Sequence, residues 1–365
     1  MDVMRVAYSL EQCWHRVPGG TATAAVEVAR VLPSLRRDIE LIGFSGRHNS
    51  APQVAYRPPI NVQQMFLNGP FLYESSMRIG WPKVESATGK VDLVHCTSII
   101  PFATNAKLVA TIHDLAFLKF PQFFSRRGNS VFRRSLKILL KRADMLICSS
   151  QSTMEDCREY GFSPDRLRHV PLGVSRPMVM TTFGQIKNRY NLPDDYLLFV
   201  GTLEPRKNLS QLIEALATLG ESVPDLVVVG ASGWGDLPDD INHPSRSKAR
   251  VHFVGFVQPS DLGAIYSSAQ VLCYPSLMEG FGLPILEAMS YGTPVVTSKG
   301  SSTQEVAGNA AVLVDPLDVT SIANGVARAL SHKSELSRLG LIRASEMTWH
   351  ATAAKTAAVY EEVVR

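Results

Sequence analysis

The sequence predicts an α/β protein made of two doubly wound parallel sheets, and three observations carry that prediction. Apolar runs of strand length recur through the second half at 196–200, 226–229, 251–254, 271–274, 294–297 and 311–314. Helix-length segments separate them at 209–218, 260–268, 284–291 and 319–330, and strands alternating with helices at this interval imply βαβ units. The chain has 365 residues, more than one ordinary core accommodates, and suits two domains of roughly 170–190 residues each. The first half repeats the rhythm less cleanly.

Composition narrows the function classes. A hydrophobic fraction of 45% with 19% charged residues is that of a globular protein, and a net charge of +4 is too small to argue for nucleic acid. The cysteines at 13, 96, 148, 157 and 273 lie far apart with no C-x-x-C, which predicts buried thiols in a reducing compartment. No apolar run approaches the ~18–20 residues that span a bilayer. The opening MDVMRVAYSL reads as a strand rather than a signal peptide, so the expected location is cytoplasmic.

In chain order, a first strand over 4–10 leads to Pro18-Gly19-Gly20 and a helix over 21–32. A Gly-Gly before a helix lets phosphate approach, although by itself it is more often a turn. The pattern is not G-x-G-x-x-G, so the dinucleotide fingerprint is absent. A second strand covers 39–44, and 47–90, rich in Pro, Asn and Gln, yields no assignment. Strands follow at 91–96 and 108–112, the latter running into His113-Asp114, where open α/β sheets bind ligands. A lone histidine there more often caps the strand.

The helix over 126–145 carries Arg126, Arg133, Arg134, Lys137 and Lys141 along one side and Phe132, Leu136, Leu139 and Ala143 on another. It suits an anionic membrane surface, or is a solvated face over a core stripe, the second reading being favoured. A strand at 145–149, a helix at 151–160 and a strand at 168–170 complete the first half. The composition break at Arg176-Pro177 divides the chain into 1–175 and 176–346, the second part opening with a helix over 183–190.

Two stretches of the second half carry chemistry. After the strand at 196–200 come Gly201-Thr202-Leu203-Glu204-Pro205-Arg206-Lys207-Asn208, with Asn208 placed to cap the next helix. Arginine offers a planar fork to phosphate oxygens and lysine a point charge. Two cations at a helix start oppose the dipole, a local cost that favours a functional role. After the strand at 271–274 comes a loop with Glu279, Gly280, Phe281, Gly282 and Leu283, then Pro284 opening a helix that carries Glu287. Glycines admit a ligand close to the backbone, helix-start amides favour phosphate, and two carboxylates can accept from sugar hydroxyls at separated points. Either glutamate alone reads more simply as dipole complement or solvated loop.

Together E-G-F-G-L-P-x-x-E, G-x-x-x-x-R-K-N and T-I-H-D resemble the donor-site motifs of GT-B type retaining glycosyltransferases, the E-x7-E or group 1 family with many mannosyl- and glucosyltransferases. The resemblance implies two Rossmann-like domains facing a cleft, with the terminal helix within 347–365 crossing back to the N-terminal domain. It implies that Arg206 and Lys207 neutralise a donor diphosphate, that Glu279 orients the hexose with His113 and Asp114, and that Glu287 holds the ribose. Gly201 and the amides of Gly280, Phe281, Gly282 and Leu283 would adjoin the donor. Gly19 and Gly20 would face its diphosphate or the acceptor, and Gly255, Phe256 and Val257 would bracket the nucleobase. Gln304-Glu305-Val306 stands where the family has P-E-V, a departure that alters loop shape.

The implied reaction moves a hexose from a nucleotide diphosphate sugar, GDP-mannose favoured, to a saccharide or lipid-linked acceptor contacted by 47–90. Configuration is retained without cofactor or metal, in keeping with the lack of a D-x-D dipeptide. Other nucleotide sugars stay open. The expected location includes the inner face of the plasma membrane if the basic helix touches lipid. Two rivals are a nucleotide-sugar epimerase of similar build and a non-catalytic nucleotide-sugar binding protein.

Overall fold

The computed structural model describes residues 3–16, 18–230 and 250–365. They form two compact units. The first gathers the described residues within Met1–Lys119, Ser125–Gly173 and Trp349–Arg365, and the second those of Phe120–Phe124 and Val174–Thr348.

The first unit holds a seven-stranded sheet of β1 (Met4–Ser9), β2 (Ile39–Ser45), β3 (Val62–Gln64), β4 (Leu93–Cys96), β5 (Lys107–Ile112), β6 (Met145–Cys148) and β7 (Leu167–His169). Their order is β3-β2-β1-β4-β5-β6-β7, with every pair parallel. The second unit holds β8 (Tyr196–Val200), β9 (Asp225–Val229), β10 (Val251–Gly255), β11 (Val271–Tyr274), β12 (Val295–Ser298) and β13 (Val312–Val314). These run β10-β9-β8-β11-β12-β13, also parallel. In each sheet the winding reverses once, between β1 and β4 and between β8 and β11. Loops at the carboxyl ends of those strands diverge there and leave room for a ligand.

Parallel strands covered on both faces need near-continuous apolar runs, and Leu197, Phe199, Val228, Val271, Cys273 and Val296 supply them, packed against Leu209, Leu212, Leu216, Ile322 and Val326. Gly325 permits the Val319–Ser331 helix to lie against β13, since a Cβ there would stand 2.2 Å from Val314 Cγ1. All five cysteines are buried and form no disulfide.

Several boundaries differ from expectation. The first helix is Gly19–Leu35, so both glycines lie inside its first turn. The unassigned 47–90 region contains β3 and a helix over Gly69–Ile79, capped by the Asn68 side chain accepting from the Phe71 N–H at 3.4 Å. The basic helix stops at Arg142 because Ala143 and Asp144 turn the chain into β6. A helix over Lys333–Glu346 has no apolar stripe to announce it. Leu336, Gly340 and Ala344 are its buried positions, and Gly340 lies against Met289.

The terminal helix, Trp349–Val364, belongs to the first unit. Its Tyr360 hydroxyl shares a 2.6 Å hydrogen bond with Nδ1 of buried His95 on β4, and Thr352 Oγ1 donates to Pro171 O at 2.9 Å. Two doubly wound parallel sheets, with the terminal helix returned to the first unit, are the GT-B fold.

Candidate active site

The second sheet's reversal point assembles a charged cluster from two sequence-distant loops. β8 ends at Val200, and Gly201 turns away with φ of 157° while donating its N–H to Val229 O at 2.9 Å. Gly230 must be a glycine here, because a Cβ would fall 1.9 Å from Gly201 O. Pro205–Lys207 then forms a 3-10 turn. Asn208 does not cap the Leu209–Leu219 helix as expected. Its backbone is left-handed, φ 63°, and its amide donates instead to Pro275 O at 3.0 Å and Pro316 O at 2.6 Å. Asparagine tolerates this conformation better than most residues. Its amide thereby ties the β8 loop to the β11 loop.

That tie brings Arg206, Lys207 and Glu279 together. Lys207 Nζ donates to Glu279 Oε1 at 2.6 Å and to the Tyr274 hydroxyl at 2.6 Å, while that hydroxyl donates to the same carboxylate oxygen at 2.9 Å. Arg206 donates to Glu279 Oε2 at 3.0 Å and to Glu204 at 2.7 Å. Lys207 and Glu279 are buried, and the Lys207 ammonium also lies 4.9 Å from the Tyr274 ring centroid. Burial alone would raise the Glu279 carboxyl, but the Lys207 and Arg206 charges outweigh it and hold it at about 2. Burial and the Arg206 charge lower Lys207 despite its pairing with Glu279. The cluster thus concentrates cationic donors at one buried point, where charge is weakly screened.

The loop continues through Gly280 and buried Phe281 to Gly282, whose φ of 108° lets the chain enter the Leu283–Ser290 helix. No side chain caps that helix. Ser302 Oγ donates to Glu279 O at 2.6 Å, so the 301–306 segment buttresses the loop despite lacking the expected proline. Glu287 does not join the ion cluster. It accepts from the Tyr266 hydroxyl at 2.7 Å, and burial raises its carboxyl above the ordinary value. On β10, Gly255 has φ 73° and accepts from the Gly230 N–H at 2.9 Å. Phe256 beside it is exposed and Val257 buried.

His113 and Asp114 follow β5 in the first unit. His113 Nε2 lies 3.3 Å from Thr97 O, and burial lowers its pKa below the usual imidazole value. Thr97 Oγ1 in turn donates to Ser9 O at 2.6 Å, so the last residue of β1 and the residues just after β4 and β5 share one network at the sheet's carboxyl edge. Asp114 has a local task, accepting from the Ala116 N–H at 3.0 Å. Gly19 has φ 62° with open space where a Cβ would stand, and both Gly19 and Gly20 are exposed.

Sequence reasoning missed Tyr274, Tyr266 and Glu204. Tyr274 had a signal, since it is the last residue of a strand at the reversal point. Tyr266 had none, because its contact with Glu287 joins two helices. Among the described residues no three His, Cys, Asp or Glu side chains are grouped as metal ligands, and no helix is long and apolar enough to cross a membrane.

Comparisons with known proteins bear on the family and the fold. The family described as glycosyl transferases group 1 matches residues 183–342, and glycosyltransferase family 4 matches residues 18–176. O-antigen chain mannosyltransferase B of Escherichia coli is 31% identical over 268 residues, 70% of either chain. The MMP alpha-(1->4)-mannosyltransferase of Mycolicibacterium hassiacum is 33% identical over 248 residues, 66% of this chain and 59% of that one. Among solved structures, sucrose-phosphate synthase from Thermosynechococcus elongatus has the same fold with a TM-score of 0.72 at 22% identity, covering 98% of each chain. HepE of Anabaena, solved with UDP and glucose, gives 0.74 at 18% identity, over 98% of this chain and 100% of that one. The chain belongs to the group 1 glycosyltransferases.

Proposed function

We propose that this chain transfers a hexose from a nucleotide diphosphate sugar to a saccharide or lipid-linked saccharide acceptor, retaining anomeric configuration and needing no metal. One observation carries the reading: two loops converge so that Arg206 and Lys207 meet Glu279, 73 and 72 residues away in sequence, at one buried point. Departure of a nucleoside diphosphate develops negative charge. Preorganised cations and helix-start amides stabilise such charge most where water is excluded. Arg206, Lys207 and the backbone around Phe281, Gly282 and Leu283 would serve the diphosphate. Glu279 would orient the hexose through lone pairs its cationic partners leave open, Glu287 would take the ribose hydroxyls, and the Gly255–Val257 backbone would adjoin the base. The leaving phosphate would help deprotonate the acceptor in a front-side displacement.

GDP-mannose is the favoured donor because the sequence relatives at 31% and 33% identity are mannosyltransferases, whereas the UDP-bound HepE structure is 18% identical. The exposed basic face of the Arg126–Arg142 helix would hold the enzyme at an anionic cytoplasmic membrane surface. The test is a panel of nucleotide sugars with and without chelator, following free nucleoside diphosphate and the anomeric proton of the product. Chelator-resistant GDP release with a retained α-linkage supports the reading. Isomerised sugar nucleotide, or binding without turnover, refutes it.

A further inference from the structure

Tyr266 lies on the Pro259–Ser268 helix and is buried, yet it carries a hydroxyl where phenylalanine would fill the same space. A buried hydroxyl costs free energy unless it is bonded. The bond made here goes to Oε2 of Glu287 at 2.7 Å. The Glu287 carboxylate makes no other hydrogen bond or ion pair among the described residues, so Oε1 has no protein partner there. One oxygen is thus fixed by the phenol and the other is left to accept from a ligand. Burial raises the Glu287 carboxyl and the bond from Tyr266 opposes that rise, which favours the ionised acceptor.

Tyr266 is itself kept from turning away. Thr293 Oγ1 donates to its backbone oxygen at 2.6 Å. The Tyr291 ring stacks on its ring, with centroids 6.2 Å apart and planes 9° from parallel. Tyr291 caps the end of the helix that carries Glu287, so both side chains belong to one helix face. Its hydroxyl donates to Pro177 O at 3.0 Å, and the Arg176 guanidinium lies 5.6 Å from its ring centroid. Gly263, one turn before Tyr266, makes room for this arrangement, since a Cβ there would stand 2.7 Å from the Tyr291 hydroxyl. Arg176, Pro177, Tyr266, Glu287 and Tyr291 all belong to the second unit, so the path is internal to it.

We propose that Tyr266 is a positioning residue for the nucleotide ribose. Its hydroxyl aims Glu287 so that the second carboxylate oxygen meets the ribose hydroxyls, and the Tyr291 stack, anchored on Arg176 and Pro177, holds Tyr266 in place. The inference rests on the donor reading above, in which Glu287 takes the ribose, and adds what sets its direction.

The test is a ratio of affinities. The full chain and its variants Tyr266→Phe, Tyr291→Leu and Glu287→Gln are titrated calorimetrically with GDP, with UDP and with their dideoxyribose counterparts, which lack both hydroxyls. The parent should prefer the ribose form of the nucleotide it binds by about ten- to a hundredfold. Tyr266→Phe should cut that preference by about tenfold and leave affinity for the dideoxy form unchanged. Tyr291→Leu should cut it by roughly threefold, the worth of one aromatic pair. General loosening of the fold lowers both affinities alike and does not move the ratio. A preference kept in full by Tyr266→Phe but lost in Glu287→Gln would overturn the proposal and leave the ribose role standing. Should Tyr266→Phe not fold, an undiminished preference in Tyr291→Leu would overturn it instead. A preference kept in full by Glu287→Gln, or a parent that binds neither nucleotide, would refute the donor reading and the proposal with it.

Discussion

The Lys207 ammonium and the Glu279 carboxylate form a buried ion pair, Nζ to Oε1 at 2.6 Å, with the Tyr274 hydroxyl bonded to both. Neither residue could stay charged at this depth alone, since an unpaired buried charge costs several kcal/mol. Arg206 adds a second cation on the other carboxylate oxygen, and Glu204 balances it at 2.7 Å.

The pairing makes stability depend on acid. The Glu279 pKa is depressed in the folded protein, from 4.5 to about 2, so between those values the unfolded chain binds more protons and stability rises with pH. The contribution is complete above pH 4.5, is lost as pH falls towards 2, and is bounded at roughly 3 kcal/mol. Glu279→Gln should flatten the acid limb of stability measured by urea unfolding across that window. An unchanged limb would show that the carboxylate is not so paired.

Glu287 stands apart from the ion cluster, held by Tyr266. Glu287→Gln should raise the donor KM by about ten- to a hundredfold, the worth of one or two hydrogen bonds to a charged acceptor, and leave kcat less affected. Steady-state kinetics with donor varied decides it. An unaltered KM would remove the ribose role.

The terminal helix is anchored to the first sheet through His95, which also bonds Thr111 Oγ1 at 2.8 Å. Burial holds this imidazole neutral, with its pKa lowered to about 3. The folded value lies below the unfolded 6.5, so this contribution is lost as pH falls from 6.5 towards 3. Tyr360→Phe should cost about 1–2 kcal/mol by leaving a buried ring nitrogen unpaired. Calorimetric melting of both proteins at neutral pH checks this. Equal melting temperatures would mean that the bond contributes nothing.

The Arg126–Arg142 helix contains seven basic residues and no acidic one. Arg134 is engaged with Glu74 at 2.8 Å, while Arg126, Arg127, Arg133, Lys137 and Lys141 are exposed and make no ion pair among the described residues. Each basic residue near an anionic surface is worth about 1 kcal/mol, so R133E/K137E/K141E should abolish sedimentation with phosphatidylglycerol vesicles at low salt. Retained sedimentation would assign the face to solvent.

How much of this was legible depended on whether the signal was local. Strand–helix alternation in the second half was plain because each parallel strand is a short apolar run, LLFV or VLCY, bounded by glycine or proline. Arg206, Lys207 and Glu279 were visible as types at loop positions, but their mutual bonding was not. It depends on the Asn208 amide crossing to Pro275 and Pro316, a tertiary choice in place of the helix cap the sequence predicted. The Gly69–Ile79 helix was hidden because it presents Phe71 and Ile79 to solvent and so lacks a clean apolar stripe. The closure of Gly46 and Gly69 over the buried Glu11 carboxylate was equally silent, since two glycines and a glutamate spread over 11–69 meet only in the fold.

The most direct test of the charge cluster is calorimetric titration of GDP into the parent protein and into Lys207→Met, which keeps the side-chain length and removes the charge. Loss of a charged hydrogen bond to the diphosphate should weaken binding by about 2 kcal/mol, some thirtyfold, and depress turnover by at least as much. Equal affinity and turnover in a folded variant would contradict the claim that this buried cation meets the leaving diphosphate.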